Sequence, residues 1–255
     1  MNAPDPNSRQ YRLRPPTTWL QKALIKSKDA GEAWIASHSI HEDLPVYPAE
    51  WFPWTAILED NWQVMRKELD QLLARRRDMP DFHQILEPVK TITQDDDWKT
   101  FFLIAPGMDC TANQEQCPET TKLLGQVPDI RTAMFSILSP GKHIPPHRGA
   151  YNGLLRYHLG LKVPEPHEKC RIRIANKTTV WREGQSLVFD DTFNHEVWND
   201  TDGVRVVLFV DFLRPMKKPY DAINRSLVQL GSLTPQMRKA NRQQQEWTKQ
   251  FYREK

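Results

Sequence analysis

A chain of 255 residues that is 39% hydrophobic and 26% charged reads as a soluble globular protein with one sizeable core and helical additions. No window approaches 18 consecutive apolar residues, which excludes a membrane-spanning helix, and a net charge of +3 leads us to expect no nucleic-acid partner. The three cysteines, Cys110, Cys117 and Cys170, are too few and too odd in number for a disulfide framework, and without a CxxC pair a structural zinc site is not expected. Cys110 and Cys117 could pair on oxidation, but reduced thiols are the expectation.

Residues 1–16 are polar and proline-rich and read as a flexible arm. They lack the apolar core of a secretory signal, so a cytoplasmic protein is expected. Residues 17–97 read as a helical region packed on the core. Trp19, Leu20, Ala23, Leu24 and Ile25 cluster at helical spacing, and a second short helix is expected around Ala33, Trp34 and Ile35. The segment from Leu44 to Pro53 has three prolines and is extended or turning. From Ala56 to Arg76 the stripe Ile57, Leu58, Trp62, Met65, Leu69, Leu72 and Leu73 predicts one amphipathic helix. The tryptophans at 51, 54, 62 and 98 read as core.

From residue 98 the period changes. Residues 99–104 form a strand candidate, and residues 118–125 a short helix with Pro118 in its first turn. Successive short strands follow at 132–138, 154–163, 170–175, 178–182, 186–190, 194–199 and 204–213, broken by Pro-Gly, Asn-Gly, Glu-Gly and Asp-Gly turns. The fold class expected is α+β with a mainly β core: a double-stranded β-helix, or jelly roll, over residues 98–216. Residues 217–255 form a basic, helical tail, with nine Lys/Arg against three Asp/Glu. It reads first as a solvated helix and alternatively as a contact for an anionic membrane face.

Seven of the nine residues in Val204–Phe212 are apolar, so this strand should be central. Arg205 sits near its start, and an arginine on a core strand is costly unless an anion meets it. Histidines fall on or beside neighbouring strands: His143 and His147, then His158, then His195. Imidazole suits Fe(II), and two histidines on adjacent jelly-roll strands can face one ion. The separation of His147 and His195 carries no signature of its own, and a metal-free jelly-roll binding module would also explain these strands. Glu196 follows His195 on a strand and should point to the opposite face. Trp181 and Trp198 read as packing residues.

The stretches SILSPGKHIPPHRG, LRYHLGLKVP, CRIRIAN, WREGQSLVFDDTFNHEVWND and RVVLFVDFLRP run in this order from Ser136 to Pro215. In them the chain resembles the aspartyl/asparaginyl β-hydroxylase family of Fe(II)- and 2-oxoglutarate-dependent oxygenases. The resemblance implies that His147 and His195 are the iron ligands, and that Gly149 stands where related oxygenases carry a ligating acid. It implies that Arg205, with Ser136, grips the distal carboxylate of 2-oxoglutarate, and that Arg156 and His158 meet the other carboxylate. Asp191 would hold a water near the position that Gly149 leaves open. Fe(II), 2-oxoglutarate as co-substrate and O2 are thus the expected cofactors. From the residues alone, Arg156 also admits a structural ion pair with Asp190 or Asp211, and His143 a structural or substrate-facing place. Two substrates fit the family: the β carbon of an aspartyl or asparaginyl-type residue in a peptide or small molecule, which is the main expectation, or an acyl chain of a bacterial lipid of the lipid A or aminolipid type.

Overall fold

The computed structural model describes residues 17–253; the N-terminal arm expected over residues 1–16 lies outside them. Helix α1 spans Trp19–Ser37 and starts at a capping box, in which the Thr18 side chain accepts from the Gln21 backbone and the Gln21 side chain from the Thr18 backbone. It runs unbroken through the two short helices read from sequence, because no proline or second cap divides them. A two-residue strand, β1 (Val46–Tyr47), follows. The single helix expected from Ala56 to Arg76 is instead a pair, α2 (Trp54–Asp60) and α3 (Trp62–Leu73). Asn61 makes the break. Its backbone leaves the helical region at φ −116° and its side chain bonds back to the Ile57 carbonyl at 2.8 Å, the competition typical of asparagine within helices.

Then come α4 (Phe82–Ile85), β2 (Trp98–Ile104), α5 (Thr111–Gln116) and α6 (Pro118–Leu124). Cys110 and Cys117 flank α5 as buried free thiols, and burial pushes both up to about 12, so neither ionises readily. The strands β3 (Ile130–Leu138), β4 (His143–His147), β5 (Leu154–Lys162), β6 (Cys170–Ile174), β7 (Lys177–Val180), β8 (Ser186–Phe189), β9 (His195–Asn199) and β10 (Arg205–Leu213) complete the β core. Sequence patterning missed β4, because Pro145 and Pro146 lie within it. The chain ends in α7 (Tyr220–Gly231) and α8 (Pro235–Arg253). No helix among the described residues is long and apolar enough to cross a membrane.

Two antiparallel sheets face each other. The larger has the order β1-β8-β5-β10-β3-β2 and the smaller β4-β9-β6-β7, the mainly β jelly roll expected. The larger sheet is buried on both faces, and the period of two sorts its side chains. From β10, Val206, Leu208, Val210 and Phe212 join one core cluster with residues of α2, α3 and α8. Val207 and Phe209, from the same strand, join a second cluster with β6 and β9 of the smaller sheet. On β5, Leu155, Tyr157 and Leu159 go to the helical side, which leaves Arg156 and His158 to the space between the sheets. Burial on both faces explains why β10 reads as a nearly continuous apolar run.

The C-terminal tail is not a free solvated helix. Trp247 and Phe251 of α8 pack against Phe101 of β2, the Arg75 guanidinium stacks 4.0 Å over Phe251, and the Tyr252 hydroxyl donates to Asn113 at 2.9 Å. Its apolar face belongs to the core, and its basic residues occupy the outer side.

A second buried arginine fastens the sheet edge. Arg214, which follows β10, donates to the Asn152 carbonyl at 2.6 Å and the Tyr47 hydroxyl at 2.8 Å, and pairs with the fully buried Asp190. Asp190 is therefore taken by Arg214 and not by Arg156. Removing one partner strands the other charge. Arg214→Met should destabilise the fold by roughly 3–5 kcal/mol in urea unfolding, and adding Asp190→Asn should recover part of that loss. An unchanged midpoint would mean that the pair adds nothing.

Candidate active site between the sheets

The two prolines that hide β4 also aim it. Pairing of β4 with β9 sets Ile144 opposite Val197, slips by one residue, and resumes with His147 opposite His195. In unbroken register Pro146 would face inward and His147 outward. The extra residue, a bulge at Pro145-Pro146, turns His147 to the inner face beside His195. The ring centroids lie 4.0 Å apart.

Both imidazoles are held in the same way. His147 Nδ1 lies 2.8 Å from the Pro145 carbonyl, and His195 Nδ1 lies 3.0 Å from the Phe193 carbonyl, each two residues upstream. A carbonyl only accepts, so each Nδ1 carries the proton and each Nε2 keeps its lone pair. This is the backbone-oriented tautomer that a metal-ligating histidine needs. Burial lowers both from the usual histidine value, His147 well below it and His195 to about 3; each ring's positive neighbours reinforce the shift and its carbonyl bond opposes it. Both are neutral at physiological pH. Among the described residues no group of three or more His, Cys, Asp or Glu side chains converges as a metal cage, so the two histidines stand as a pair.

The larger sheet supplies the opposite wall. Ser136, Arg156, His158 and Arg205 line the same cavity as His147 and His195, with about 330 Å³ of empty space. A larger groove of about 830 Å³, beside α7, is lined by none of them. Arg205 is 2% exposed, and its Nε and Nη1 have no hydrogen-bond partner. The guanidinium lies 4.5 Å over the Trp181 ring, and burial lowers it to about 10, so it stays charged at neutral pH. An unmatched, buried guanidinium fits a carboxylate brought in from outside. His158 is likewise buried with both ring nitrogens unpartnered, and burial, reinforced by Arg205 and Arg156, holds it well below the usual value. The Ser136 oxygen accepts from the Trp98 indole at 3.0 Å, which leaves its own proton free to donate. Trp98 and Phe209 also line the cavity, so Trp98 is more than core and Trp181 more than packing. Period-two counting from Arg205 along β10 would have found Phe209.

Arg156 lines the cavity and also makes the ion pair with Asp211 that the residues alone admit. Its Nε donates to Asp211 at 2.8 Å, its Nη2 lies 2.9 Å from Asp191 and 3.2 Å from the second Asp211 oxygen, and its guanidinium stacks 4.1 Å over Phe209. Arg156 and Asp211 are direct cross-strand partners. Burial alone would lower its pKa, but the two carboxylates more than offset that and the net direction is upward. Arg156 thus lines the cavity with Nε and Nη2 already committed to carboxylates.

Asp191 lies beside Gly149, where the resemblance puts it. A Cβ built on Gly149 would lie 2.2 Å from both Asp191 carboxylate oxygens, and the Gly149 N–H donates to the Asp191 carbonyl at 2.7 Å. The room for a side chain at 149 is filled by the Asp191 carboxylate, which Arg156 holds. His143 and Glu196 lie on the outer face, bonded to each other at 2.8 Å, with Arg173 on Glu196 at 3.1 Å. Neither joins the site, and His143 stacks on Trp198 there.

Two predictions follow from this geometry. Gly149→Ala and Gly149→Asp should each displace Asp191 and cost about 1–3 kcal/mol of stability, with no gain in activity. Combining Gly149→Asp with Asp191→Gly should restore the fold. A stable, more active Gly149→Asp single variant would contradict the packing. For His158, the folded pKa lies below the unfolded value near 6.5, so the unfolded chain binds the extra proton. Its neutral ring contributes full stability above that pH, and the contribution is lost as pH falls below it, by up to about 1.4 kcal/mol per pH unit. Urea midpoints of metal-free protein should therefore fall between about pH 7 and pH 5.5, and His158→Gln should flatten the slope; parallel slopes would show that His158 does not bind its proton differentially.

Residues 59–215 match the family described as aspartyl/asparaginyl β-hydroxylase. An ornithine lipid ester-linked acyl 2-hydroxylase from Rhizobium tropici is 47% identical over 210 residues, covering 82% of this chain and 75% of that protein. The human aspartyl/asparaginyl β-hydroxylase is 35% identical over 170 residues, 64% of this chain but only 21% of that protein. A solved Pseudomonas putida prolyl-4-hydroxylase superposes with a TM-score of 0.41 at 17% identity, covering 63% of this chain and 98% of that one. The matched span runs from the end of α2 past the end of β10 and holds every strand that lines the cavity, and the chain therefore belongs to the aspartyl/asparaginyl β-hydroxylase family of hydroxylases.

Proposed function

We propose that the protein is an Fe(II)- and 2-oxoglutarate-dependent hydroxylase acting on the ester-linked acyl chain of a membrane aminolipid. The observation that carries the cofactor half is Arg205: a buried guanidinium with unmatched nitrogens, facing a pair of neutral histidines across one cavity. His147 and His195 would hold the metal through Nε2. Arg205, with the Ser136 hydroxyl, would take the distal carboxylate of the keto acid, and the planar guanidinium fork suits it. His158, kept neutral by its surroundings, can donate one N–H to the other carboxylate without adding charge. Arg156 would meet that carboxylate's charge while keeping Asp191 beside Gly149. Bound there, iron and the keto acid supply the oxidising power to put one atom of O2 into a C–H bond. The chain's own share is to orient the donors and, through Trp98, Ile144, Ile172, Phe189 and Val197, to keep water from the reacting centre.

The substrate half rests on the 47% identity shared with the ornithine lipid acyl hydroxylase over most of both chains. A second reading, the β carbon of an aspartyl or asparaginyl residue, is favoured by the family match itself and by the human relative. The two reactions share their chemistry. The second carbon of an ester-linked acyl chain and the β carbon of aspartate are both methylenes next to a carbonyl carbon. One site geometry therefore serves either, and the wall around the methylene decides.

The test is turnover with Fe(II), 2-oxoglutarate and O2, offering ornithine lipid and an aspartyl peptide side by side. Succinate should form, and the lipid should gain the mass of one oxygen atom. Oxygen on the peptide alone would establish the second reading, and no turnover with no metal binding would leave a binding module. His195→Ala should abolish both iron binding and succinate formation. Arg205→Ala should raise the half-saturating 2-oxoglutarate concentration roughly 30- to 100-fold, and Arg205→Lys should recover little of it. An unchanged 2-oxoglutarate dependence would remove Arg205 from the site.

A further inference from the structure

Eight of the eleven large apolar side chains exposed among the described residues lie on or beside two helices. On α1 they are Trp19 (79% exposed), Leu20 (54%), Leu24 (62%) and Trp34 (38%); on α7 they are Ile223 (42%), Leu227 (46%) and Leu230 (63%), with Leu233 (60%) just beyond it. Single exposed apolar residues are ordinary, but a concentration of them marks a surface that meets something. The C-terminal half of α1 meets the first turns of α7, the two helices running in opposite directions there. Tyr220 packs on His38 with ring centroids 3.7 Å apart and edge-on to Trp34 at 5.5 Å. One turn pair further along, Leu227 shares a groove of about 560 Å³ with Gly31, Trp34 and Tyr151. Trp34 of α1 and Leu227 of α7 thus border one groove, from which the exposed residues of each helix run on.

Charge names the occupant. The first ten residues of α1, Trp19 to Lys28, carry Lys22, Lys26 and Lys28, all exposed, and no acid. A turn of 3.6 residues puts Leu20, Leu24, Gly31 and Trp34 along one stripe, with Lys28 on one margin, Lys26 beside Trp19 past the other, and Lys22 further round the helix. Lys217 and Lys218, also exposed, stand before α7 at the far end. An apolar stripe with tryptophans, edged by lysines, matches a helix that lies in the surface of an anionic bilayer. A second copy of the chain would bring the same lysines against each other.

The face is fastened to the candidate site. The Arg148 guanidinium, next to His147, donates to Glu32 of α1 at 3.1 Å, and the Asn152 side chain to the Glu32 carbonyl at 2.8 Å. The Tyr151 hydroxyl donates to Asn224 of α7 at 2.8 Å, and Asn224 to the Gly153 carbonyl at 2.8 Å. Both helices thus grip the loop of residues 148–153, which leaves β4 at His147.

We infer that the α1–α7 face docks on an anionic lipid bilayer and holds the mouth of the site against it. The inference rests on the acyl-lipid reading for its purpose, and on the face itself for its existence. The test is co-sedimentation of the full chain with phosphatidylcholine–phosphatidylglycerol vesicles and with phosphatidylcholine vesicles alone. The anionic vesicles should bind roughly tenfold or more tightly. A variant with Leu24→Glu and Leu230→Glu, both at exposed positions and so compatible with folding, should lose at least about tenfold of that binding. Replacing Lys22, Lys26 and Lys28 by glutamine should bring binding down to the level of neutral vesicles. Equal binding of the double variant, or no anionic preference in the wild type, overturns the inference. So does a wild-type dimer that the double variant dissociates, with no vesicle binding. Turnover is read separately on detergent-dispersed lipid: a chain that binds vesicles without oxidising lipid upholds the docking face and fails the functional reading.

Discussion

Burying the Arg205 guanidinium costs several kcal/mol when nothing of opposite charge meets it, and the fold is arranged so that it has nowhere else to go. It opens the central strand of a sheet covered on both faces, with β3 on one side and β5 on the other. Trp181 closes the space beneath it. The carboxylates of the β core are already spent, Asp211 and Asp191 on Arg156 and Asp190 on Arg214. What remains is a charge held in readiness, with the helical layer and the smaller sheet supplying the burial that gives it its strength.

The same economy of charge governs Gly149. Two arginines and three aspartates of the β core could have paired in several ways. Arg214 takes Asp190 at the sheet edge, so Arg156 is left to hold Asp191 and Asp211 together. Held there, the Asp191 carboxylate occupies the volume that any side chain at position 149 would need. Glycine is thus a packing requirement of the neighbouring aspartate, and the two positions form one unit.

Much of this was legible in the amino-acid sequence, and the failures have physical causes. The strands from residue 130 onward carry a strong period-two pattern bounded by glycine turns, so the jelly roll could be read from them. Prolines conceal β4, since a strand without N–H donors at Pro145 and Pro146 reads as a loop, yet those prolines make the bulge that turns His147 inward. Asn61 divides a stripe whose apolar spacing continues across the break, because the α3 face resumes in phase against the same core. The pairing of Arg156 could not be chosen from sequence, since Asp190, Asp191 and Asp211 compete and only the register of β5 on β10 decides. The tail reads as solvated because its nine Lys/Arg outnumber its three Asp/Glu, whereas the few apolar residues of α8 share one face, where Trp247 and Phe251 pack on Phe101.

The charges lining and backing the cavity also bear on how the proposed cofactors would enter. Arg156 and Arg205 are positive, Asp191 and Asp211 negative, and burial keeps His147, His158 and His195 neutral. The protein side therefore sums to zero in a region that water barely reaches. A divalent cation alone would leave two uncompensated positive charges there, and a dicarboxylate alone two negative ones, each heavily penalised at low dielectric. Together they cancel. Neutral histidines matter to this balance as much as they do to ligation, because each protonated ring would add a charge that the pair could no longer offset. On the proposed reading, burial does one job in two places: it frees the lone pairs of His147 and His195 for a metal, and it makes the metal and the keto acid each other's best counter-ion.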